Sequence, residues 1–345
     1  FMQAKGNYTR AMNTSAEVGD YSIYQLALVA GLQKNYAEKV SLLSRLSNEY
    51  GESPYVAQGL YEKGRGYVQQ QQSNEAIRTF QDLIAKFPEN AISRKAAAEI
   101  GLLYYQNGSY DDAIKTYKWV VEKYPGSDEA RLAMRDLKSL YVDLNRVDEY
   151  ATLAESISGG IKMEVTEQDS LTYIAAEKVY LRGNDQEASR SFERYLERYP
   201  AGAFSLNSHY YLSVIAKRHG DVDGLVNHST KLLSYPDNPY YEEALIMRSE
   251  LAYNNGQYAE ALDFYKKLRD KATTPERISM AQVGRMRSAK NLNDNNEIIL
   301  ASSDLLLMSK LTPELQNEAL YNRAKAYIAD NNKEAAMKDL VVLAG

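Results

Sequence analysis

The residues of this chain best suited to metal binding or proton transfer are its three histidines, His209, His219 and His228. A metal-binding pair on one helix requires two histidines four residues apart, whereas these are separated by ten and nine residues. The repeat pattern described below places them in a helix, in the turn after it and in the next helix. We therefore expect their side chains to point in different directions, and we predict no metal site.

Three short segments are similar to ligand-binding loops but lack residues that such loops need. Segments 221–224 (DVDG) and 293–296 (NDNN) carry calcium-type ligands, yet neither continues to the glycine and distal glutamate of a calcium loop. Segment 64–66 (GRG) lacks the third glycine of a dinucleotide fingerprint. The sequence thus predicts no catalytic residue and no cofactor, and we expect a protein that is not an enzyme.

The composition argues against several further classes of function. The 345 residues include no cysteine, which removes disulfides, zinc–thiolate sites and thiol catalysis. The net charge is −5 with acidic and basic residues interspersed, so no concentrated basic face is predicted for nucleic acid. The basic runs 266–269 and 285–287 are interpreted as solvated surface. No run of 18 apolar residues occurs, so we predict no transmembrane segment.

The elements that must position any binding residues are marked by eight prolines. Proline lacks an amide donor and clashes with the preceding helical turn, so it stands at helix boundaries. The junctions marked by these prolines recur at regular intervals of 34 to 39 residues, except for one gap of 75 residues. We interpret this gap as two periods with a degenerate junction near Lys162. Four prolines follow a capping residue and are predicted to start a helix: Pro54, Pro239, Pro275 and Pro313. Three others are predicted to end a helix: Pro88, Pro125 and Pro200.

A second signal recurs about halfway between these prolines. At 106–110 (QNGSY) and 254–258 (NNGQY), asparagine and glycine tolerate the left-handed conformation that ends a helix, and an amphipathic pattern restarts after them. Each period therefore predicts a helix, a tight turn and a second helix. A marker residue follows the turn at spacings of 36 to 38 residues: Ala76, Ala113, Ala188, Ala261 and Ala336, with Tyr150, Gly224 and Ile298 in the weaker periods.

Small and aromatic residues alternate within a period in an order that resembles a known family. The series Gly64, Tyr67, Ala76, Phe80, Pro88 recurs as Gly101, Tyr104, Ala113, Tyr117, Pro125. Small residues let two helices approach closely, and the aromatic ring fills the space beside them. This order resembles the tetratricopeptide repeat (TPR), with helical HEAT-type repeats as the alternative. The resemblance implies an all-α protein, an α-solenoid (superhelix) of about eight to nine TPR-like helical hairpins with a period of about 37 residues.

The same pattern predicts how the array is divided. We expect an N-terminal array over 1–160 and a C-terminal array over 161–345, because the period between Pro125 and Pro200 has poor small positions and glycines at 159–160. A hinge is predicted near 156–166. Segment 6–11 (GNYTRA) is interpreted as a turn within a first, truncated unit, and the last unit also ends early. We therefore expect an excerpt from a longer array, whose uncapped ends could self-associate.

One junction string bears on location. Segment 124–130 (YPGSDEA) is similar to the string between repeats of periplasmic TPR proteins from Gram-negative bacteria, and the absence of cysteine fits an oxidising compartment as well as a cytoplasm. This resemblance implies the periplasm or cell envelope, with the cytoplasm as the alternative.

The function predicted is a non-catalytic protein–protein interaction scaffold that binds a peptide or partner protein in a concave groove, with a role in envelope assembly or maintenance. The groove is predicted from one stripe of the first helices: Tyr61, Arg65, Tyr105, Arg135, Tyr173, Tyr180, His209, Tyr253, Tyr321 and Lys325. Tyrosine and arginine contribute disproportionately to interfaces. A chain with 29 tyrosines would also place some there by chance. A structural spacer and an accessory or regulatory domain of a larger protein are the alternatives.

Overall fold

The computed structural model of the protein describes residues 2–14, 18–157 and 163–344. These residues form nineteen α-helices joined by short turns, and no strand is found among them. The all-α prediction is therefore confirmed. The contacts divide the chain into two compact units, Phe1–Glu164 and Val165–Gly345.

The first unit consists of one leading helix and four helical hairpins. Each helix packs against the next, and the first helices of the last three hairpins also touch one another in sequence. The leading helix is α1 (Met2–Thr14), and the hairpins are α2 (Gly19–Leu32) with α3 (Tyr36–Glu49), α4 (Val56–Gln69) with α5 (Ser73–Lys86), α6 (Ala91–Gln106) with α7 (Tyr110–Lys123), and α8 (Asp128–Asp143) with α9 (Val147–Ser156).

The second unit consists of five helical hairpins stacked in the same manner. They are α10 (Val165–Leu181) with α11 (Asp185–Arg198), α12 (Ser205–His219) with α13 (Val222–Leu233), α14 (Tyr241–Asn254) with α15 (Tyr258–Lys271), α16 (Pro275–Leu292) with α17 (Asn295–Leu306), and α18 (Pro313–Ala329) with α19 (Lys333–Ala344). The nine hairpins of the described chain agree with the predicted solenoid of eight to nine.

Every one of these hairpins turns at a single residue with a positive φ angle. The turn residues are Lys34, Gln71, Gly108, Asn145, Gly183, Gly220, Gly256, Asn293 and Asn331, with φ between 56° and 79°. Their spacing of 36 to 38 residues confirms the predicted period of about 37. Only glycine adopts this conformation without steric cost, and asparagine tolerates it better than other residues do.

The turn of α6 and α7 shows how the left-handed residue joins two helices. The Gly108 amide donates to the Tyr105 carbonyl at 3.0 Å, and the Ser109 amide donates to the Tyr104 carbonyl at 2.9 Å. These two bonds are the Schellman arrangement, which satisfies carbonyls that would otherwise lack a partner at the helix end. Because α7 begins directly after Ser109, one turn residue ends one helix and positions the next.

Two equivalent turns have different residues at the left-handed position, Gln71 and Gly108, and this difference generates a prediction. Gln71→Gly should raise the free energy of unfolding by about 0.5–1 kcal/mol, because it relieves the steric cost of a side chain in this conformation. Gly108→Gln should lower it by about 1 kcal/mol for the opposite reason. Urea denaturation followed by far-ultraviolet circular dichroism measures both changes. Midpoints that move in the same direction would contradict this account of the turn.

Packing inside the hairpins follows the small and aromatic positions. A Cβ atom added at Gly64 would lie 2.3 Å from the Phe80 ring, and one added at Gly101 would lie 2.5 Å from the Tyr117 ring. Phe80 is completely buried and Tyr117 is 3 % exposed. The glycines are therefore needed so that the rings of α5 and α7 can seat against α4 and α6, as the sequence pattern predicts.

The prolines mark the helix boundaries that we predicted, with two corrections. Helices α5, α7 and α11 end directly before the Phe-Pro and Tyr-Pro pairs, and Thr274 and Thr312 cap α16 and α18 as expected. The predictions for Pro54 and Pro239 are wrong by two residues. There Ser53 and Asn238 accept bonds from the amides two residues later, at 3.2 and 2.8 Å, and form a turn before the helix begins.

The start of the chain also differs from the prediction. Helix α1 runs without interruption through Gly6, so the turn predicted there is wrong, because one glycine within a helix lowers its stability without ending it. The predicted hinge near 156–166 has its centre, 158–162, outside the described residues. The hinge and the boundary between arrays at 160 and 161 stay predictions.

One basic run predicted to be solvated is partly buried. Arg285 in α16 is 2 % exposed, and its guanidinium donates from Nε to Glu297 Oε1 in α17 at 2.8 Å. Asp304 Oδ2 lies 3.1 Å from Arg285 Nη1, and Lys266 Nζ lies 2.8 Å from Glu297 Oε2. The run 285–287 is split because consecutive helical residues point in different directions, so Arg285 enters the hairpin whereas Arg287 stays half-exposed.

This buried ion pair generates a second prediction. Arg285→Met keeps the side-chain volume but leaves Glu297 buried without its main partner, and should cost about 3 kcal/mol of unfolding free energy. We expect the low end of the usual range because Lys266 remains beside Glu297. The matched control is Arg287→Met, which removes a surface pair with Glu318 and should cost under about 1 kcal/mol. Equal shifts of the urea midpoint would show that the burial of Arg285 carries no stability.

Candidate partner-binding faces

Each hairpin has a first helix and a second helix. In each unit, side chains on the surface of the first helices connect one first helix to the next, and we call this surface the first-helix face. In the first unit, the Tyr61 hydroxyl of α4 donates to Glu99 of α6 at 3.4 Å, and the Tyr105 hydroxyl of α6 donates to Asp143 of α8 at 3.4 Å. Burial is the main cause that raises the pKa of Tyr61, so its hydroxyl stays protonated and able to donate.

The second unit repeats this bridge at the same register. Arg218 Nη2 of α12 donates to the Tyr180 hydroxyl of α10 at 3.2 Å, and Asn291 of α16 donates to the Tyr253 hydroxyl of α14 at 3.4 Å. Tyr105, Tyr180 and Tyr253 each lie four residues after the small position of their helix. Each ring is therefore oriented by a polar partner 38 residues further along the chain before any ligand arrives.

Four other predicted residues lie on helix surfaces without bridging two repeats in the contacts described. Arg65 and Arg135 are exposed, and each faces an acidic residue of its own helix, Glu62 at 3.8 Å and Asp136 at 3.2 Å. Tyr321 of α18 is 50 % exposed, with Lys325 Nζ above its ring at 5.6 Å. The structure therefore leaves these side chains accessible, as the groove prediction requires, and their binding role stays a prediction.

The placement of Tyr173 differs from the prediction. Its ring is 4 % exposed, stacks on Phe204 with 4.4 Å between ring centroids, and lies 6.0 Å from the Tyr195 ring. The seven-residue spacing does put Tyr173 and Tyr180 on the same side of α10. The junction before α12 covers the Tyr173 ring and leaves the Tyr180 ring half-buried. The spacing alone could not reveal this difference.

The Tyr173 hydroxyl belongs to a polar cluster around Glu177. Glu177 Oε1 accepts hydrogen bonds from Tyr173 at 2.6 Å and from Tyr211 of α12 at 3.0 Å. Burial and then the bond to Glu177 raise the pKa of Tyr211 to about 12, and the same causes raise the pKa of Tyr173 well above its usual value. Both hydroxyls therefore remain donors, and the carboxylate is held in one orientation.

Further aromatic rings continue this cluster towards α14. The rings of Tyr210 and Tyr240 stack with centroids 4.4 Å apart, and Asn207 Nδ2 donates to the Tyr240 hydroxyl at 2.8 Å. The rings of Tyr211 and Tyr180 lie 4.6 Å apart. The first-helix face from α10 to α14 is thus a row of half-buried tyrosine rings around one carboxylate.

Sequence reasoning missed several of these residues, although a signal was present. Glu177 directly follows the small residue Ala176, just as Arg65 follows Gly64 and Lys325 follows Ala324. The register therefore pointed to Glu177, but the predicted stripe contained only tyrosines, arginines, one histidine and one lysine, and no acidic residue. Tyr210 and Tyr211 are adjacent in sequence, and a helix period cannot tell which of two adjacent tyrosines faces outward without the positions of neighbouring helices.

The histidine prediction is also corrected by the structure. His209 Nδ1 and His228 Nδ1 lie 3.0 Å apart across the α12–α13 hairpin, so one imidazole donates to the other instead of both pointing away. Burial and the neighbouring His228 lower the pKa of His209 to about 4, and burial also lowers the pKa of His228. His209 is thus a hairpin contact and not a free groove residue, because the turn at Gly220 folds α13 back on α12.

This histidine pair predicts a pH-dependent stability. The unfolded chain binds protons below a pKa of about 6.5, whereas folded His209 binds one only near 4, so the stability present above 6.5 should be lost as the pH falls towards 4. Lys231 opposes protonation of His209, and Asp221 favours that of His228. His209→Gln should therefore lose less of its urea midpoint between pH 7.5 and pH 5 than the wild type.

The control for this experiment is His219→Gln. The His219 side chain is 60 % exposed and hydrogen-bonds to Asp185 at 2.8 Å, outside the histidine pair. This variant leaves the histidine pair intact, so it should lose at least as much of its urea midpoint as the wild type between pH 7.5 and pH 5. If His209→Gln and the wild type lose equal amounts between the two pH values, the pair does not contribute to acid sensitivity.

A second candidate surface is an apolar cleft between α5, α6 and α7 with a volume of about 510 Å³. Trp119, the only tryptophan of the chain, lines it and is 39 % exposed. Ile84, Ile100 and Tyr104 form much of the remaining wall, and Lys115 stands at the edge. The cleft is large enough for one or two apolar side chains of a partner.

Across 2–14, 18–157 and 163–344, no group of three or more histidine or acidic residues is arranged to hold a metal ion. No helix in those ranges is both long and apolar enough to cross a bilayer. The candidate sites of the structure are therefore surfaces lined by tyrosines, charged residues and one tryptophan.

Comparison with known proteins supports the predicted repeat type for part of the first unit. The family model of the tetratricopeptide repeat matches residues 61–128 and 98–149. These ranges contain both complete small–aromatic series of the sequence, so the TPR interpretation is supported there. No curated protein shows significant sequence similarity to the chain.

Three solved structures match the chain at low sequence identity. The TPR domain of P58(IPK) is 16 % identical, with 93 % of this chain and 91 % of that chain covered and a TM-score of 0.31. A tetratricopeptide repeat protein from Parabacteroides merdae is 16 % identical, with 77 % and 98 % covered and a TM-score of 0.29. BtubC from P. vanneervenii is 13 % identical, with 58 % and 88 % covered and a TM-score of 0.37.

Proposed function

We propose that the protein is a non-catalytic scaffold that binds an extended segment of a partner protein on the first-helix face of residues 165–344. The observation that carries this proposal is the row of half-buried tyrosines whose hydroxyls are already bonded to the next repeat, as in the Tyr180–Arg218 and Tyr253–Asn291 bridges. Tetratricopeptide repeats generally mediate protein–protein interactions and are generally not enzymes, which supports the same conclusion for the matched hairpins.

The energetic argument for this face is preorganisation. Binding to a surface costs the side-chain entropy of the residues that must be ordered, about 0.5–1.5 kcal/mol for each flexible side chain. Tyr180 is fixed by the Arg218 bond and by the Tyr211 ring at 4.6 Å, so much of this cost is already met on folding. Large rings that need little further ordering are the residues that dominate interface energies.

An extended segment suits this face better than a rigid globular surface. Its rings provide shallow apolar contact, while Asn207, Arg218 and Glu177 provide donors and an acceptor at intervals between first helices. An extended chain presents side chains and unpaired backbone groups in alternation, which such a mixed surface can satisfy.

We also propose that the protein works in the periplasm or cell envelope, in envelope assembly or maintenance. The support for this location is the junction string at 124–130, and the absence of cysteine is compatible with it. Fractionation of the source cell, with the protein detected by an antibody, tests the location. Recovery only in the cytosolic fraction would contradict it.

The binding proposal is tested with peptides selected from a random phage-displayed library of 12-residue sequences. Tyr180→Ala combined with Tyr253→Ala should weaken the best selected peptide by at least about 2 kcal/mol, or roughly thirtyfold in Kd, because two ordered rings are removed. Fluorescence polarisation with the labelled peptide gives the Kd, and circular dichroism verifies that the variant remains helical. Tyr173 is left unchanged because its ring belongs to the core.

Two single variants serve as controls. Tyr235→Ala removes a tyrosine that is 59 % exposed in the junction after α13, and should leave the Kd within about twofold. Trp119→Ala tests the cleft of the first unit. If Trp119→Ala abolishes binding and the double variant does not, the partner binds the cleft; if no peptide is selected at all, a structural spacer becomes the better interpretation.

A further inference from the structure

Glu177 is an exception among the carboxylates that bridge the first helices of the second unit. Glu242 lies 2.6 Å from Arg277, Glu250 lies 2.6 Å from Lys217, and Glu318 lies 2.7 Å from Arg287. By contrast, within the part of the chain that the structure describes, no basic side chain pairs with Glu177. Glu177 is therefore a bridging carboxylate whose charge no cation of the described chain balances.

The two oxygens of Glu177 are used differently. Oε1 accepts both tyrosine hydrogen bonds, at 2.6 and 3.0 Å, whereas Oε2 accepts none from the described residues. A carboxylate can accept about four hydrogen bonds, so half of its capacity remains available. The bonds to Tyr173 and Tyr211 fix the direction in which the unused oxygen points. Two neutral donors on one oxygen orient the group without neutralising it.

The tyrosine rings around Glu177 can also attract a cation, in addition to the carboxylate itself. Tyrosine faces attract cations within about 6 Å of the ring centroid. In this protein the Arg218 guanidinium already lies 5.6 Å from the Tyr180 ring centroid, which shows that this part of the face accommodates a positive charge on an aromatic surface. The Tyr211 ring lies between Tyr180 and the carboxylate, because it approaches the first at 4.6 Å and bonds to the second.

We propose that Glu177 is the specificity residue of the second unit and binds a lysine or arginine side chain of the partner segment, with the ring of Tyr211 beside it. This inference rests on the proposed function, since it names the chemistry of the segment that the first-helix face binds. The charge complementarity is local: one uncompensated carboxylate selects one basic residue at one position of the segment. Glu242, Glu250 and Glu318 are already paired with basic residues of this chain, so they provide no second such position.

A double-mutant cycle on the full chain tests this proposal. Peptides selected from the random 12-residue library should share a lysine or arginine at one position. Replacing that residue by norleucine and replacing Glu177→Gln should each weaken binding at least about tenfold, and the two changes together should cost no more than one alone. Glutamine keeps an oxygen that accepts both tyrosine hydroxyls, so the variant should fold, as circular dichroism and the urea midpoint will verify.

The matched control is Glu250→Gln, which removes a carboxylate already paired with Lys217 and should show under about twofold coupling to the same peptide residue. Tyr211→Phe keeps the Glu177 charge but removes one of its orienting donors, and should weaken only the peptide that carries the basic residue, by about threefold.

The possible outcomes separate the two proposals. Peptides bind the first-helix face if the Tyr180 and Tyr253 double variant loses affinity for them. If such peptides share no basic residue, or show no coupling to Glu177, this inference is wrong and the proposed function stands. If no peptide binds, the proposed function fails and the inference fails with it. Tenfold coupling to Glu177 with none to Glu250 supports both.

Discussion

A left-handed residue at every hairpin turn is the constraint on which the rest of each unit depends. It recurs at intervals of 36 to 38 residues and ends the first helix, and the second helix begins two residues later. Because all turns are alike, helices of successive hairpins return at equivalent registers. The requirement is strong enough that Lys34 and Gln71 adopt this conformation despite their side chains, at a cost of about 1–2 kcal/mol each.

The equal registers explain why polar contacts on the first-helix faces join residues about one repeat apart. The Tyr105–Asp143, Tyr180–Arg218 and Tyr253–Asn291 bridges each span 38 residues. The tyrosines of this chain therefore have a structural use that does not depend on a ligand, since their hydroxyls connect neighbouring repeats. The same geometry leaves ring faces half-exposed, and a surface that is ordered for stability is also ordered for binding.

Two of the hairpins with weaker marker positions contain a buried or part-buried polar contact between their helices. Where small and aromatic residues are complete, as at Gly101 and Tyr117, the hairpin packs through apolar contact. The hairpin that carries Gly224 at the marker position has the His209–His228 contact, and the one that carries Ile298 has the buried Arg285–Glu297 pair. These polar contacts make the weaker hairpins sensitive to pH or to loss of one charge, because a buried group that loses its partner keeps its full desolvation cost.

The sequence by itself determined the helical class, the period and most helix boundaries, because proline, left-handed turn residues and small positions act locally within one or two turns of helix. It also determined the register on which Glu177 lies. Only the tertiary structure decided which residues of that register are accessible: Phe204 covers Tyr173, α13 turns His228 onto His209, and Glu177 meets tyrosines of two segments while gaining no cation from the described chain. These outcomes depend on contacts between residues 19 to 34 positions apart, and a periodic pattern gives the direction of a side chain but not what stands in front of it.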